Sequence, residues 1–258
     1  MRSITIGNMF INSRLMEVEQ RYGWALNSHL EGFTASPTLN SEGNVDVPAN
    51  GYTGDFGSDT NGINLHMMKN MEWGAVAYLT QSEYGKNAKV CINPSSSYIT
   101  GSGDKDGNCS SGSKDDSNIV VYNTENGMKT STTGNIYGIY DMAGGAYEYV
   151  AGYPNGGTQL YGDIIKKADS KYYDVSGNSY VNAINIKGDA VYETSSSGSS
   201  TNSWHGEYSL FPSSSNWFKR GGNYNNGANA GVFCFSIHDG YAYSGNGWRV
   251  CAAVGAGL

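Results

Sequence analysis

Residues 217–251 read WFKRGGNYNNGANAGVFCFSIHDGYAYSGNGWRVC, and the rest of the chain is understood outward from this stretch. Its ends, Trp217-Phe218-Lys219-Arg220-Gly221-Gly222 and Gly247-Trp248-Arg249-Val250-Cys251, are apolar or arginine-bearing. Its middle mixes small, polar and aromatic residues with neither a helical period nor the alternation of a half-buried strand, which is the pattern of a displayed surface. From Asn223 to Asn246 there is no Lys, Glu, Gln, Met or Trp, although all five types occur elsewhere in the chain. Codons of the form N-N-C cannot write those five types and can write every residue that is present. Ser236, Ile237, His238, Asp239, Tyr241, Tyr243, Ser244, Gly245 and Asn246 can each be reached from an AAC codon by changing adenines alone.

At 258 residues the chain is long enough to bury a sizeable core, and no linker divides it, so a single domain over 1–258 is expected. Only 15% of residues are charged, against 36 Gly and 20 Tyr, so Ser, Asn, Thr and Gly must cover the surface, which favours a loop-rich α+β architecture over a helical bundle. The net charge of −7 and the lack of a basic stripe argue against nucleic acid as a partner, since phosphate binding rests on clustered Lys and Arg. Neither a long apolar run nor a charged-then-apolar leader is present, so no direct membrane insertion is expected. Cys91, Cys109, Cys234 and Cys251 lack the close spacing of a zinc site. Three disulfide connectivities are open, of which 91 with 109 and 234 with 251 is the local one; reduced cysteines in a core are the alternative.

Ser3 to Ile6 reads as a short strand, Ile11 to Trp24 as helix or irregular strand, and Asn40 to Asn64 as a loose connection with turns at Asn50-Gly51 and Asn61-Gly62. The clearest helix is 70–84, with Asn70 as N-cap and Glu72 in the first turn. Trp73, Val76, Ala77 and Thr80 form its core face with Leu79 and Tyr84 beside it, and Gly85 is its stop. Lys89 to Ile92 and Ile119 to Tyr122 read as strands. Between them Asn93 to Asn118 reads as a surface insertion anchored by Cys109. Within it Asp104-Lys105-Asp106-Gly107-Asn108 lacks the downstream Glu of a calcium loop and is read as a solvated turn. The Ser-rich 195–203 reads as a surface loop.

Asn135-Ile136-Tyr137-Gly138-Ile139-Tyr140-Asp141-Met142-Ala143-Gly144-Gly145-Ala146-Tyr147-Glu148-Tyr149-Val150 is the second informative stretch. Gly144-Gly145 suits positive φ or close backbone approach, and 146–150 suits a strand. Arg220 and Arg249 should bond backbone carbonyls or a carboxylate, with Glu148 and Asp141 as candidates. The stretch resembles the N-x-[FY]-G-[LI]-Y-D-M-x-G-[NG]-x-W-E-W-V signature of the formylglycine-generating enzyme (sulfatase-modifying factor) family, with Tyr147 and Tyr149 in the tryptophan positions. Arg220-Gly221-Gly222-Asn223-Tyr224 is similar to that family's R-G-G-[SN]-[WY], and Gly247-Trp248-Arg249 to its closing G-F-R. The resemblance implies a C-type-lectin-like fold of the formylglycine-generating-enzyme type, with small antiparallel sheets and about two helices. It also implies one sheet holding 146–150, 231–236 and 247–252 beside the helix.

Within that fold Arg220 to Phe233, RGGNYNNGANAGVF, is similar to the variable proteins of diversity-generating retroelements, in which template adenines are randomised. The resemblance implies a receptor- or adhesin-like binder with a variable segment at 220–250. Its partner would be a protein on a host-cell, bacterial or phage-receptor surface, and its location a cell surface or phage particle. Tyr224, Ser236, Ile237, His238, Asp239, Tyr241, Tyr243, Ser244 and Asn246 are the expected ligand-binding residues, exposed on one face, with Ile237 as the exposed apolar contact. Rigid tyrosine rings among small polar residues have the chemistry of antibody loops.

The alternatives are a formylglycine-generating-enzyme-like oxidase and a non-catalytic structural surface or phage protein. The oxidases use two cysteines about five residues apart, and here Asn229 stands five before Cys234, so no copper-thiolate pair is available. His238 and Asp239 would point to opposite faces of a strand, and no Ser or Cys with a positioned base completes a nucleophilic set. The E-P-N or Q-P-D and W-N-D tripeptides of calcium-dependent sugar binding are missing. The expectation is therefore a binder with no catalytic residues, no metal and no cofactor.

Overall fold

The computed structural model describes residues 4–11, 13, 38–39, 45–46, 63–109, 115–213 and 215–254. Their helices are α1 (6–11), α2 (Asn70–Gln81), α3 (Glu125–Met128) and α4 (Asp163–Lys167). Their strands are β1 (Thr38–Leu39), β2 (Val45–Asp46), β3 (Ile63–Met67), β4 (Gly103–Asp104), β5 (Ile119–Val120), β6 (Tyr147–Tyr149) and β7 (Gly152–Pro154). The series continues with β8 (Asp174–Ser176), β9 (Ser199–Ser200), β10 (Ser209–Leu210), β11 (Trp217–Gly221), β12 (Gly231–His238), β13 (Asn246–Trp248) and β14 (Val250–Val254). This is an α+β protein with few helices and small sheets. The stretches Ile11 to Trp24 and Asn40 to Asn64, expected as helix or irregular strand and as a loose connection, lie largely outside the described residues.

The main sheet has the order β13-β6-β11-β12-β10-β9. β11 is antiparallel to both neighbours, but β13 runs parallel to β6 and β10 parallel to β12, so the expected antiparallel arrangement is corrected to a mixed one. Parallel partners need a crossover of a dozen or more residues, and the long chain between Tyr149 and Asn246 supplies it. Successive side chains of β11 face opposite ways. Trp217 joins Ile6, Met9, Phe10, Tyr149 and Tyr172 in one apolar cluster, while Phe218 joins Trp73, Ala77, Met142, Val150 and Phe235 in the other.

Of the expected strand Ser3 to Ile6, the described residues 4–6 are not a strand: Ile6, Met9 and Phe10 recur at helical spacing and are fully buried, and the Thr5 hydroxyl accepts from the Asn8 N–H at the start of α1. In α2 the N-cap is Lys69, not Asn70, and Glu72 reaches back to accept from the Lys69 N–H at 2.8 Å. Asn70 is unfit to cap because its side chain is committed to the core, as described below. Trp73, Ala77 and Thr80 are buried as the periodicity predicts, and the Trp73 indole donates to the Val232 carbonyl at 2.7 Å, tying α2 to β12. Leu79 is 61% exposed and Tyr84 82%, so neither belongs to the core face. The helix ends at Gln81, before Gly85, whose closeness to the Leu79 and Thr80 carbonyls leaves no room for a side chain.

The stretch expected as one strand over 247–252 is divided at Arg249. β13 pairs with β6, whereas β14 pairs antiparallel with β3, because the Arg249 carbonyl accepts from the Met68 N–H and its side chain turns to Glu148. Lys89 to Ile92 forms no ladder, although Val90, Cys91 and Ile92 are buried. The polar run after Asn93 is not only a surface insertion either. Asn93, Ser95, Ser102 and Asp104 are buried, and the Asp116 carboxylate gathers the backbone N–H groups of Ser96 and Ser97 and the hydroxyl of Ser95, doing with hydrogen bonds what apolar residues do elsewhere. The turn at 104–108 is an Asx turn, with the Asp104 carboxylate accepting from the Asp106 N–H at 2.8 Å.

Of the open cysteine pairings, Cys91–Cys109 is formed and Cys234–Cys251 is not. Cys234 lies inside β12 in the main sheet and Cys251 on β14 opposite His66 in a separate sheet, so the local pairing holds for one pair alone.

Candidate functional site

Two arginines, Arg220 fully buried and Arg249 24% exposed, fix the ends of the 220–250 segment. Arg220, fully buried at the end of β11, donates to the Asn70 side-chain oxygen at 3.2 Å and to the carbonyls of Asp189 and Ala190 at 3.3 and 3.2 Å. Asn70 in turn donates to the Asp189 carboxylate at 3.0 Å, whose acid is pushed up to about 6 by burial against the pull of Arg220. Neither Glu148 nor Asp141 is the partner of Arg220, since both are engaged elsewhere. Arg249 takes Glu148 through two parallel bonds of 3.0 and 2.7 Å, and also donates to the Tyr140 carbonyl. Asp141 accepts from the Asn93 amide and the Gly101 N–H. Gly144 and Gly145 have φ of 80 and 63°, and Gly144 lies against the Asn93 backbone, as the Gly-Gly pair predicts.

A third support went unread in the sequence. β12 shifts register beside the junction of Arg220 and Gly221, so the backbone around Phe233 has no regular ladder partner. Glu207, fully buried, accepts the Phe233 N–H at 2.7 Å, and its carboxyl lies where any side chain on Gly231 would have to go. Burial pushes this acid up to about 8. A lone Glu in a polar stretch carries no sequence signal of that role.

Between these supports the expected binding residues divide into a displayed group and a buried one. Tyr241 is 41% exposed, Tyr243 49%, and Ser244 is exposed beside them. The His238 ring lies 4.4 Å from that of Tyr241 and 6.0 Å from that of Tyr243, and the Tyr241 and Tyr243 rings meet edge to face at 6.3 Å. Asp239 is partly exposed, with a carboxylate oxygen 3.2 Å from His238 Nδ1. The two side chains therefore meet, contrary to the expectation of opposite faces, because the strand stops at His238. His238 Nδ1 faces the Tyr149 hydroxyl and accepts from the Gly240 N–H, and burial, with Lys219 adding to it, holds the imidazole below its ordinary range. With its side chain only 13% exposed, His238 supports the displayed rings from beneath, and the expectation that it is displayed is corrected.

Ser236 and Asn246 are buried, at 6% and 0% exposure, so the expectation that they are displayed is corrected. Strand alternation is the cause: Ser236 is in register with Lys219 and Asn246 with Tyr147, and all four side chains belong to a covered sheet face. Ile237 is corrected as well. It is half-buried on the opposite face, in register with Phe218 of the core. Tyr224 is half-buried, its N–H donating to the Gly145 carbonyl and its ring edge-on to Tyr98 at 5.6 Å.

Residues outside 220–250 adjoin this face. Tyr98 stands against Tyr224, and Tyr161 meets Tyr241 edge to face at 6.4 Å beside the exposed Leu160. Nothing local in the sequence marks either one, because the partners that bring them here lie far along the chain. Under Tyr98 lies a cavity of about 150 Å³ whose lining includes Asn93, Asp141, Glu148 and Trp248.

Cys234, the one cysteine of the segment, is fully buried, and its thiol is pushed up to about 12 by burial and by nearby Glu207. That is the opposite of an activated thiolate. Among the described residues no cluster of His, Cys, Asp and Glu is placed to hold a metal ion, and no helix is long and apolar enough to cross a membrane. The chain matches no protein-family model and no curated protein.

Proposed function

We propose that this chain is a ligand-binding variable protein, one C-type-lectin-like domain of the formylglycine-generating-enzyme type whose 220–250 segment is diversified by a retroelement. The observation that carries the reading is the juxtaposition of a displayed, adenine-reachable group, Asp239, Tyr241, Tyr243 and Ser244, with segment ends anchored by Arg220 and Arg249. Replaceable residues must lie where folding does not depend on them, because core truncations cost about 2 to 5 kcal/mol and a domain holds only about 5 to 15 in reserve. Exposed tyrosines with small polar neighbours suit protein recognition, and the partner is a protein on a cell or phage-receptor surface. The chain accordingly acts at a cell surface or phage particle and is not an enzyme. The buried, protonated Cys234 speaks against the oxidase reading.

The test is a library randomised at Asp239, Tyr241, Tyr243 and Ser244, displayed and selected against immobilised lysozyme as an arbitrary protein target. Most members should keep thermal midpoints near that of the parent, and selection should return binders whose affinity falls on reversion of the selected residues. A library that is mostly unfolded, or folded but never yielding binders, would sink the display reading.

A further inference from the structure

Tyr98 and Tyr161 share an unusual backbone state. Their φ values are 60 and 59°, in the left-handed region that bulky side chains seldom occupy and that persists only where the surroundings impose it. At Tyr161 the surroundings are explicit. The carbonyl before it, of Leu160, accepts from the Trp217 indole at 2.9 Å, and its own carbonyl accepts from the Gly7 N–H at 2.9 Å. Gly162 then lies so close to the Trp217 ring that no side chain fits there. At Tyr98 the N–H donates to the Ser95 carbonyl, Asp116 holds the N–H groups of Ser96 and Ser97, and the Asn93 amide holds the Ile99 carbonyl. Both rings are thus aimed by loops tied to the core and adjoin the displayed group: Tyr161 meets Tyr241, and Tyr98, edge-on to Tyr224, brings its hydroxyl beside Gly245, against which the Tyr243 ring also packs.

The loop itself bears carboxylate and no cation, the nearest lysines being Lys219 beneath His238 and Lys166 and Lys167 at the far end of α4. From Gly221 to Trp248 the chain contains no Lys or Arg, and burial disfavours the charged form of His238. Asp239 is partly exposed among the rings, and Asp163, two residues from Tyr161, is exposed. Tyrosine faces attract cations through their ring quadrupoles, and the carboxylates add to that attraction.

We propose that Tyr98 and Tyr161 are fixed aromatic anchors flanking the variable group, and that the combined face takes an Arg- or Lys-bearing protein segment. This rests on the binding reading above and extends it in two ways. Part of the contact is invariant while the loop between is exchanged, and the partner's chemistry is basic. Rigid anchors at the rim of an adaptable loop reduce the ordering cost of binding.

The experiment pans the wild-type chain, in low salt, against a random peptide library. Enriched peptides are then measured on two double variants, Tyr98→Ser with Tyr161→Ser and Tyr241→Ser with Tyr243→Ser, after their thermal midpoints have been shown to match the parent. The expected result is enrichment of Arg and Lys, with affinity falling about tenfold or more in each double variant and with added salt. Tyr98→Phe with Tyr161→Phe, which keeps the rings, should retain most of the affinity and covers the case in which the serine pair fails to fold. Peptides that lose affinity only in the Tyr241/Tyr243 variant would overturn the anchor role while leaving the binding reading intact. Acidic or uncharged peptides would overturn the basic partner. No enrichment, or peptides indifferent to Tyr241 and Tyr243, would overturn both readings.

Discussion

Glu207→Gln is the most informative single change. The carboxyl is fully buried, one oxygen holds the Phe233 N–H at 2.7 Å, and the other has no hydrogen-bond partner, so the uncharged acid is the form the site tolerates. Its titration is moved from an ordinary 4.5 to about 8 by burial, with Lys89 and Arg220 pulling the other way. The sign follows from linkage. A folded value above the unfolded one gives a contribution that is fully present below pH 4.5 and is lost as pH rises through about 8. The full linked free energy is on the order of 4 kcal/mol. Glutamine keeps the acceptor for Phe233 and cannot ionise. At pH 5 the variant should therefore match the wild type within about 1 kcal/mol, and at pH 9 it should exceed it by several kcal/mol. Urea unfolding of both proteins between pH 5 and 9 reads this directly. The difference between the two curves is the quantity to use, because Lys86 and Lys219, both lowered to about 8 by burial, give the opposite slope above that pH in each protein. Parallel curves across the range would refute the assignment of a neutral buried acid.

Three further outcomes are expected. Trp73→Ala removes a fully buried ring and the indole bond to Val232, and should cost about 3 to 5 kcal/mol by chemical denaturation. Arg249→Ala leaves Glu148 nearly buried and unpaired; a fully buried pair broken this way loses about 3 to 5 kcal/mol, and with Arg249 at 24% exposure about 2 kcal/mol is expected, checked by a double-mutant cycle with Glu148→Gln. Thiol counting should find two free thiols in the denatured, unreduced chain and four after reduction. In the native state at pH 8 Cys234 and Cys251 should react slowly, since burial pushes both up to about 12.

Where a signal was repeated or local, the sequence reading held. The Trp73, Ala77, Thr80 stripe is buried at helical spacing, Gly144-Gly145 takes positive φ, and 147–149 is a strand in the sheet that also holds β12. Where a residue's task is set by a distant partner, it did not hold. Asn70 is read as a cap from its neighbours, yet its side chain belongs to Asp189 and Arg220. The exposure of the expected binding residues is half legible. Tyr241, Tyr243, Ser244 and Asp239 are at the surface, while Ser236, Ile237 and Asn246 followed the alternation of β12 and β13 into covered positions. Composition singles out a run of adenine-reachable residues, but the face each one takes depends on where a strand begins and ends.

By itself the sequence determined the elements whose causes lie within a few residues: the α2 stripe, the Gly-Gly turn and the loop-rich α+β character. Tertiary structure alone decided the parallel pairing of β13 with β6, the division at Arg249, the choice of Glu148 for Arg249 and of Asn70 for Arg220, and the meeting of Tyr98 and Tyr161 with the displayed rings. The physical reason is that helical period and turn chemistry act between neighbours along the chain. Strand direction, ion pairing and ring contact are settled between residues that only the closed fold brings within a few ångströms of one another.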